Sequence, residues 1–252
     1  MSMFTDQVVI VTGAGEGMGR AHACLFAERG AHVVVQDIIG DRAEETVSRI
    51  RKAGGSAEIC VCDVSNVSAI TEAIEGVGKR RGRIDVVVNN AGIANEPIIE
   101  EVTEELFDRM FAVNVKGPFF AARAAVPLMK QQQRGKIINI ASHWAMVGHH
   151  YASPYIGSKA AILGLTRAWA KELAPWKINV NAIAPGGVLT EMVLQQPDIE
   201  KKMPGKVARV PLGRYAKPVE ISYAVAFLAS PEADFITGQL LSPNGGEGIV
   251  GM

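Results

Sequence analysis

Between residues 7 and 37 the chain passes through an apolar run, a glycine-rich turn, a helical pattern and a second apolar run. That order constrains the fold more than any other feature. Gln7–Val11 is short and apolar, and Thr12-Gly13-Ala14-Gly15-Glu16-Gly17-Met18-Gly19 follows at once. Arg20–Arg29 then carries Ala21, Leu25 and Phe26 on one helical face and stops at Gly30. Ala31–Gln36 is the second apolar run, and it ends at Asp37. The glycines let the backbone come close to a pyrophosphate, and the helix start turns N–H groups toward it. Asp37 lies 18 residues beyond Gly19, near the spacing at which a carboxylate meets an adenosine ribose. The competing role for Asp37 is a cap on the helix that Asp41 and Arg42 open.

The alternation continues along the chain. Helical patterns at Gly40–Ala53, Val67–Arg81, Thr103–Gln133, Pro154–Ala174 and Pro218–Leu228 separate apolar runs at Ser56–Cys62, Ile84–Val88, Ile137–Ile140, Ile178–Ile183 and Gly238–Leu241. Pro127 is expected to bend or interrupt the long helical stretch. The fold class expected is α/β: a Rossmann fold in one domain over residues 1–252, with a doubly wound, mostly parallel sheet and helices on both faces. Ligands of such sheets bind beyond the carboxyl ends of the strands. The polar and glycine motifs fall there: Asp63-Val64, Asn89-Asn90-Ala91-Gly92, Ser142 and Pro185-Gly186-Gly187-Val188-Leu189-Thr190. Thr190–Gly213 breaks the pattern with Pro197, Pro204, Pro211, Gly205 and Gly213, and a substrate lid is expected at about 190–213.

Composition removes several classes. Lys plus Arg and Asp plus Glu number 26 each, which argues against a general nucleic-acid binder. The cluster Lys79-Arg80-Arg81 with Arg83 fits the solvated C-terminal end of a helix, where cations favour the dipole. Cys24, Cys60 and Cys62 are too few for a disulfide framework and lack metal spacing. The first residues show no leader pattern, and no apolar run is long enough to span a membrane. A cytoplasmic protein with no membrane or nucleic-acid partner is expected. His143, His149 and His150 suggest a metal, but no carboxylate or Cys completes a ligand spacing, and none is expected.

The chemistry centres on Tyr155-Ile156-Gly157-Ser158-Lys159. Residues four apart share a helix face, so the Lys159 ammonium should sit near the Tyr155 phenol. A nearby positive charge lowers a phenol's pKa toward the range where a general acid or base works best. Of the four tyrosines, only Tyr155 has a Lys four residues on. Ser142 lies thirteen residues earlier, at the end of the run Lys136–Ala141. A strand end and the following helix can bring Ser142 and Tyr155 to the same substrate oxygen.

Taken together, these residues resemble the short-chain dehydrogenase/reductase family over nearly the whole chain. The glycine loop of that family is matched by Thr12, Gly13, Gly17 and Gly19, and its NNAG segment by Asn89–Gly92. Its catalytic Asn, Ser, Tyr and Lys match Asn114, Ser142, Tyr155 and Lys159, and its PGxxxT element matches Pro185, Gly186 and Thr190. Two positions depart from it: Ala141 where Ser is common, and Asn244 where an acid often precedes paired glycines. The resemblance implies an NAD(P)-dependent enzyme that interconverts a small secondary alcohol and a ketone by hydride transfer, and Asp37, with Glu16 and Ile38 where relatives using NADP carry a base, points to NAD. Tyr155 would exchange the proton, Ser142 would bind the oxygen, Lys159 would tune Tyr155 and hold the nicotinamide ribose, and Asn114 would support a water. The cofactor site implied includes Gly13, Gly15, Glu16, Gly17, Met18 and Gly19, then Asp37 and Ile38 at the ribose, and Asp63 and Val64 at the adenine. Asn90, Ala91 and Gly92 belong to it as well, Asn90 chiefly by bracing the central strands. Pro185, Gly186, Val188 and Thr190 complete it, the last two at the carboxamide. Trp144, His149 and Met192 would line the substrate pocket with Ser142. A homotetramer is implied, paired through the helices at Thr103–Gln133 and Pro154–Ala174. The alternatives are a 3-oxoacyl-[acyl-carrier-protein] reductase and a catalytically silent nucleotide-binding regulator. A sugar-nucleotide epimerase would need a longer chain.

Overall fold

The computed structural model describes residues 3–196 and 198–249, so Pro197 of the expected lid lies outside the described residues. The first half holds β1 (Val8–Thr12), α1 (Gly17–Glu28), β2 (His32–Asp37), α2 (Gly40–Lys52), β3 (Ser56–Val61), α3 (Val67–Arg81) and β4 (Val86–Asn89). It continues through α4 (Glu104–Phe111), α5 (Gly117–Gln132), β5 (Gly135–Ile140), the short α6 (Trp144–Val147) and α7 (Ser153–Leu173). The last part is β6 (Ile178–Ile183), α8 (Glu191–Leu194), α9 (Ile199–Val207), α10 (Pro218–Ala229) and β7 (Leu240–Leu241).

The strands form one seven-stranded sheet in the order β3-β2-β1-β4-β5-β6-β7, and every pairing is parallel. Helices cover both faces, so alternate residues of each inner strand enter opposite cores. Val9, Val11, Val33, Val35, Val86 and Val88 pack with α1, α2 and α10. Val8, Ile10, Val34, Val87, Ile137 and Val180 pack with α3, α5 and α7. This double burial is why the strands read as continuous apolar runs. It is the Rossmann arrangement expected. The strand order reverses between β1 and β4, and a crevice opens at the carboxyl ends of strands at such a switch point.

Helix ends follow local chemistry. Asn66 caps α3 by accepting from Ala69 N–H at 3.1 Å, and Gly82 closes it in the left-handed conformation at φ 71°. The basic cluster occupies the last turn of α3, where Arg80 and Arg81 both pair with Glu58. Arg83 pairs with Asp85 at 2.7 Å.

One sequence expectation needs correction. The long helix is interrupted at Ala112–Lys116, a π-helical turn between α4 and α5, while Pro127 is carried inside α5. The 190–213 segment holds α8 and α9, and α9 contains Pro204.

Candidate active site

The glycine turn is built for close approach. Gly13 has φ of 62°, and a side-chain carbon there would lie 2.8 Å from Ala91 Cα. At Gly19 a side chain would collide with the Gly13 carbonyl itself. Asn90 fixes the turn to β4 by donating to Thr12 O at 2.9 Å and Gly13 O at 3.1 Å. Asn90 also lines the cleft.

The Asp37 carboxylate is held on both oxygens. Gly15 N–H donates to Oδ2 at 2.8 Å and Ile39 N–H to Oδ1 at 2.9 Å. Asp37 is 7% exposed, and Ile38 beside it is largely exposed. Both nearby arginines are engaged. Arg42 pairs with Glu16 at 2.8 Å, while Arg20 donates to Gly15 O and pairs with Glu45 at 2.9 Å. Asp63 accepts from Ser65 N–H at 2.8 Å and Ser65 Oγ–H at 2.7 Å, and pairs with Arg109 at 3.2 Å. Burial alone would raise the Asp63 carboxyl, but these partners outweigh it and hold it below the usual range.

At the other end, β5 and α7 bring the reactive groups together. Ser142 follows β5, beside the Tyr155 phenol. Lys159 is buried, and its Nζ donates to Ile140 O at 2.8 Å while standing 5.9 Å from the centre of the Tyr155 ring. Burial pulls the Lys159 ammonium down to about 8. Burial also pushes the Tyr155 phenol above its ordinary value; the Ser142 contact opposes this and Glu96 adds to it. The lowered phenol expected from the Tyr155/Lys159 spacing is therefore corrected. The ammonium is aimed at a carbonyl, and desolvation decides the direction.

Asn114 sits in the π-helical turn and is fully buried. Its Nδ2 donates to Ile93 O at 2.9 Å and to Ser158 Oγ at 3.0 Å, and Ser158 donates onward to Tyr155 O at 2.7 Å. A side chain at Gly92 would meet both Asn114 Oδ1 and Lys159 Nζ. The π-turn aims Asn114 at the floor of the site, a use such turns commonly have.

One cavity of about 340 Å³ joins the two ends. Glu16, Gly17, Met18 and Gly19 line it with Asp37 and Ile38. Asp63, Val64, Ala91, Gly92, Tyr155, Lys159, Thr190 and Met192 line the rest of the predicted set. Gly15, Asn114, Ser142, Trp144, His149, Pro185, Gly186 and Val188 do not line it; Gly186 N–H donates to Pro243 O at 3.2 Å and Val188 bridges Ala216. Arg42, Arg109 and Glu191 also line the cavity. Sequence reasoning did not place Arg109 and Glu191 there, because both arrive through tertiary contact.

Trp144 and His149 are half-buried and form an aromatic wall beside Tyr155. Their rings stack at 4.3 Å, and Trp144 meets Tyr155 edge-on at 6.3 Å. His149 is lowered to about 4, first by burial and then by nearby cations, so its ring is neutral. His149 and His150 stack on each other at 4.2 Å. Among the described residues no group of three His, Cys, Asp or Glu is placed to hold a metal ion. Asn244 satisfies its own turn, donating to Gly248 O at 2.6 Å and accepting from Gly246 N–H at 2.8 Å.

Comparison with known proteins decides the family. The family model described as enoyl-(acyl carrier protein) reductase matches residues 13–247. A 3-oxoacyl-[acyl-carrier-protein] reductase of Thermotoga maritima is 39% identical, covering 95% of this chain and 97% of its own. The chain is a short-chain dehydrogenase/reductase. Another member of the family, cyclopentanol dehydrogenase of Comamonas sp., is 37% identical over 98% of both chains. Among solved structures, a candidate NAD(P) dependent gluconate 5-dehydrogenase from Beutenbergia cavernae, with NADP bound at low occupancy, superposes with a TM-score of 0.91. That neighbour is 36% identical, covering 96% of this chain and 97% of its own. This short-chain dehydrogenase/reductase is therefore an oxidoreductase of a family that uses a nicotinamide cofactor. The glycine turn whose close approach a side chain would fill, and the cleft beside it, fit such a group. Among the described residues no helix is long and apolar enough to cross a membrane.

Proposed function

We propose that this chain interconverts a small secondary alcohol and its ketone with NAD as cofactor. The observation that carries the reading is one cleft with Asp37 at one end and Tyr155 and Lys159 at the other, Ser142 acting on the Tyr155 phenol from beside it. When bound, the nicotinamide takes hydride from, or gives it to, the substrate carbon. Tyr155 exchanges a proton with the substrate oxygen, and Ser142 hydrogen-bonds that oxygen. Lys159 holds the nicotinamide ribose. Asn114 fixes the chain around Ile93 and Ser158 and supports a water beside Lys159. Thr190 and Val188 serve the carboxamide, and Asp63 and Val64 the adenine. Trp144, His149 and Met192 face the substrate, and the 190–213 segment acts as its lid within a single-domain chain.

NAD is favoured over NADP by the Asp37 carboxylate, which would accept from ribose hydroxyls and repel a 2′-phosphate. Arg20 and Arg42 are committed to acceptors of their own. The reading rests on these residues and not on the relatives, since the Beutenbergia neighbour carries NADP. The likeness to the Thermotoga enzyme supports a second reading, reduction of a 3-oxoacyl thioester. Assays of NADH formation with a panel of secondary alcohols, beside acetoacetyl-CoA reduction with NADPH, separate the two. Tyr155→Phe should lower turnover by about 10²–10⁴-fold while NADH still binds. A variant that kept most of its activity would show that another group carries the proton.

A further inference from the structure

Glu191 is the first residue of α8, and its Oε2 accepts a hydrogen bond of 3.1 Å from Gly17 N–H. Gly17 is the first residue of α1, a helix of 12 residues. The first N–H groups of a helix lack partners within it and carry the positive end of its dipole. In a strand–glycine turn–helix unit that point receives the diphosphate of a dinucleotide. The first turn of α1 has no acid of its own, and Glu16 at its cap makes no side-chain cap bond because it pairs with Arg42. The carboxylate on this anion position therefore comes from 174 residues away. It is not an accidental surface contact, since Glu191 lines the same cleft as Asp37, Tyr155 and Lys159. Thr190 packs beside it, 3.4 Å from where a side-chain carbon on Gly17 would stand.

We propose that Glu191 is an internal competitor for the cofactor's diphosphate. Its carboxylate fills the anion position at the start of α1 and ties the near end of the 190–213 segment to the glycine turn. It must leave before a diphosphate can bind there. This rests on the cofactor reading given above. One N–H cannot serve both anions, and two anions at one point repel. Cofactor affinity is therefore lowered by the loss of a charge-assisted hydrogen bond. The far end of the segment has separate ties: Lys206 to Glu96 at 3.8 Å and Arg209 to His149 at 3.3 Å. Release of Glu191 frees the end beside the cleft while those contacts hold the other.

ADP and adenosine separate the diphosphate from the rest of the ligand. Calorimetric titration of Glu191→Ala should show ADP binding about three- to tenfold tighter than to the wild type, the size of one net hydrogen bond. Adenosine affinity should not change. NADH should gain the same factor as ADP. Glu191→Gln, which removes the charge and keeps the shape, should fall between. Unchanged or weaker ADP binding in both variants would overturn the inference while leaving the cofactor reading intact. A wild-type protein that binds neither ADP, NADH nor NADPH would overturn the cofactor reading and this inference with it.

Discussion

A buried lysine is costly to keep charged, and Lys159 is 5% exposed. Its folded pKa of about 8 lies below the ordinary 10.5, so the folded state binds the proton less tightly than the unfolded chain. Stability is therefore lowest below about pH 8 and rises as pH climbs toward 10.5. At neutral pH the penalty is about 3 kcal/mol, against about 1 kcal/mol for the hydrogen bond to Ile140 O. The penalty wins, so Lys159→Met should unfold a few degrees higher than the wild type at pH 7 and lose that advantage near pH 10.5. Its turnover should fall sharply, because the ribose contact is lost. Thermal melts at the two pH values check the first claim; a variant less stable at pH 7 would mean the ammonium is well paired. Asp37 invites a second test at this scale. Asp37→Ser with Ile38→Arg removes the carboxylate and adds a cation beside it. An NAD preference of about thirty- to a hundredfold in kcat/KM, equivalent to ~2–3 kcal/mol, should narrow or reverse. Equal use of NAD and NADP by the wild type would contradict the Asp37 reading.

Between elements, the packing of α1 on α10 buries a group the chemistry does not use. His22 is fully buried, with Nδ1 2.7 Å from Ser222 Oγ, and its Nε2 has no hydrogen-bond partner among the described residues. Burial lowers its pKa to about 3 from 6.5. The folded state thus binds fewer protons than the unfolded one between these values, and stability falls as pH drops from 6.5 toward 3. At pH 5 that amounts to about 2 kcal/mol. His22→Phe should show a smaller loss between pH 7.5 and 5 in urea unfolding; an identical loss in both proteins would clear His22 of the effect. What the sequence revealed at this scale follows from signal strength. Val67–Arg81 and Ile178–Ile183 match residue for residue, one helix being closed by Asn66 and Gly82 and one strand buried on both faces. The break at Ala112–Lys116 carries no Gly or Pro within it, so Pro127 drew the expectation wrongly. Helices as short as α6 and α8 span one turn, too little for a period to register. Ser142, Tyr155, Lys159 and Asn114 were legible because they belong to ordered motifs. Glu191 and the direction of the Tyr155 shift were not, since both arise from burial and long-range contact.

At the scale of the whole molecule, the surface formed by α4, α5 and α7 is apolar beyond what the chain itself uses. Leu163 and Trp169 are buried within the chain, but Phe107 and Phe119 are 44% and 38% exposed. Phe119 borders an open groove of about 710 Å³ that Phe111, Phe120 and Leu165 also line. Phe119 rests against Trp169 with ring centres 5.6 Å apart, so the exposed ring is held in place by the core beneath it. Fixed aromatic rings on a helical face are suited to association, because little side-chain entropy is lost when they are covered. This face lies on the helices through which the family resemblance implies pairing, and we propose that four copies assemble with it as one of the contacts. Phe119→Arg places a charge at the centre of the face while leaving Trp169 buried. Light scattering of the wild type at micromolar concentration should give four times 26.9 kDa. The variant should give a smaller species with its far-ultraviolet dichroism unchanged. A wild-type mass of 26.9 kDa would remove the tetramer, and a variant that remained tetrameric would move the contact to another face.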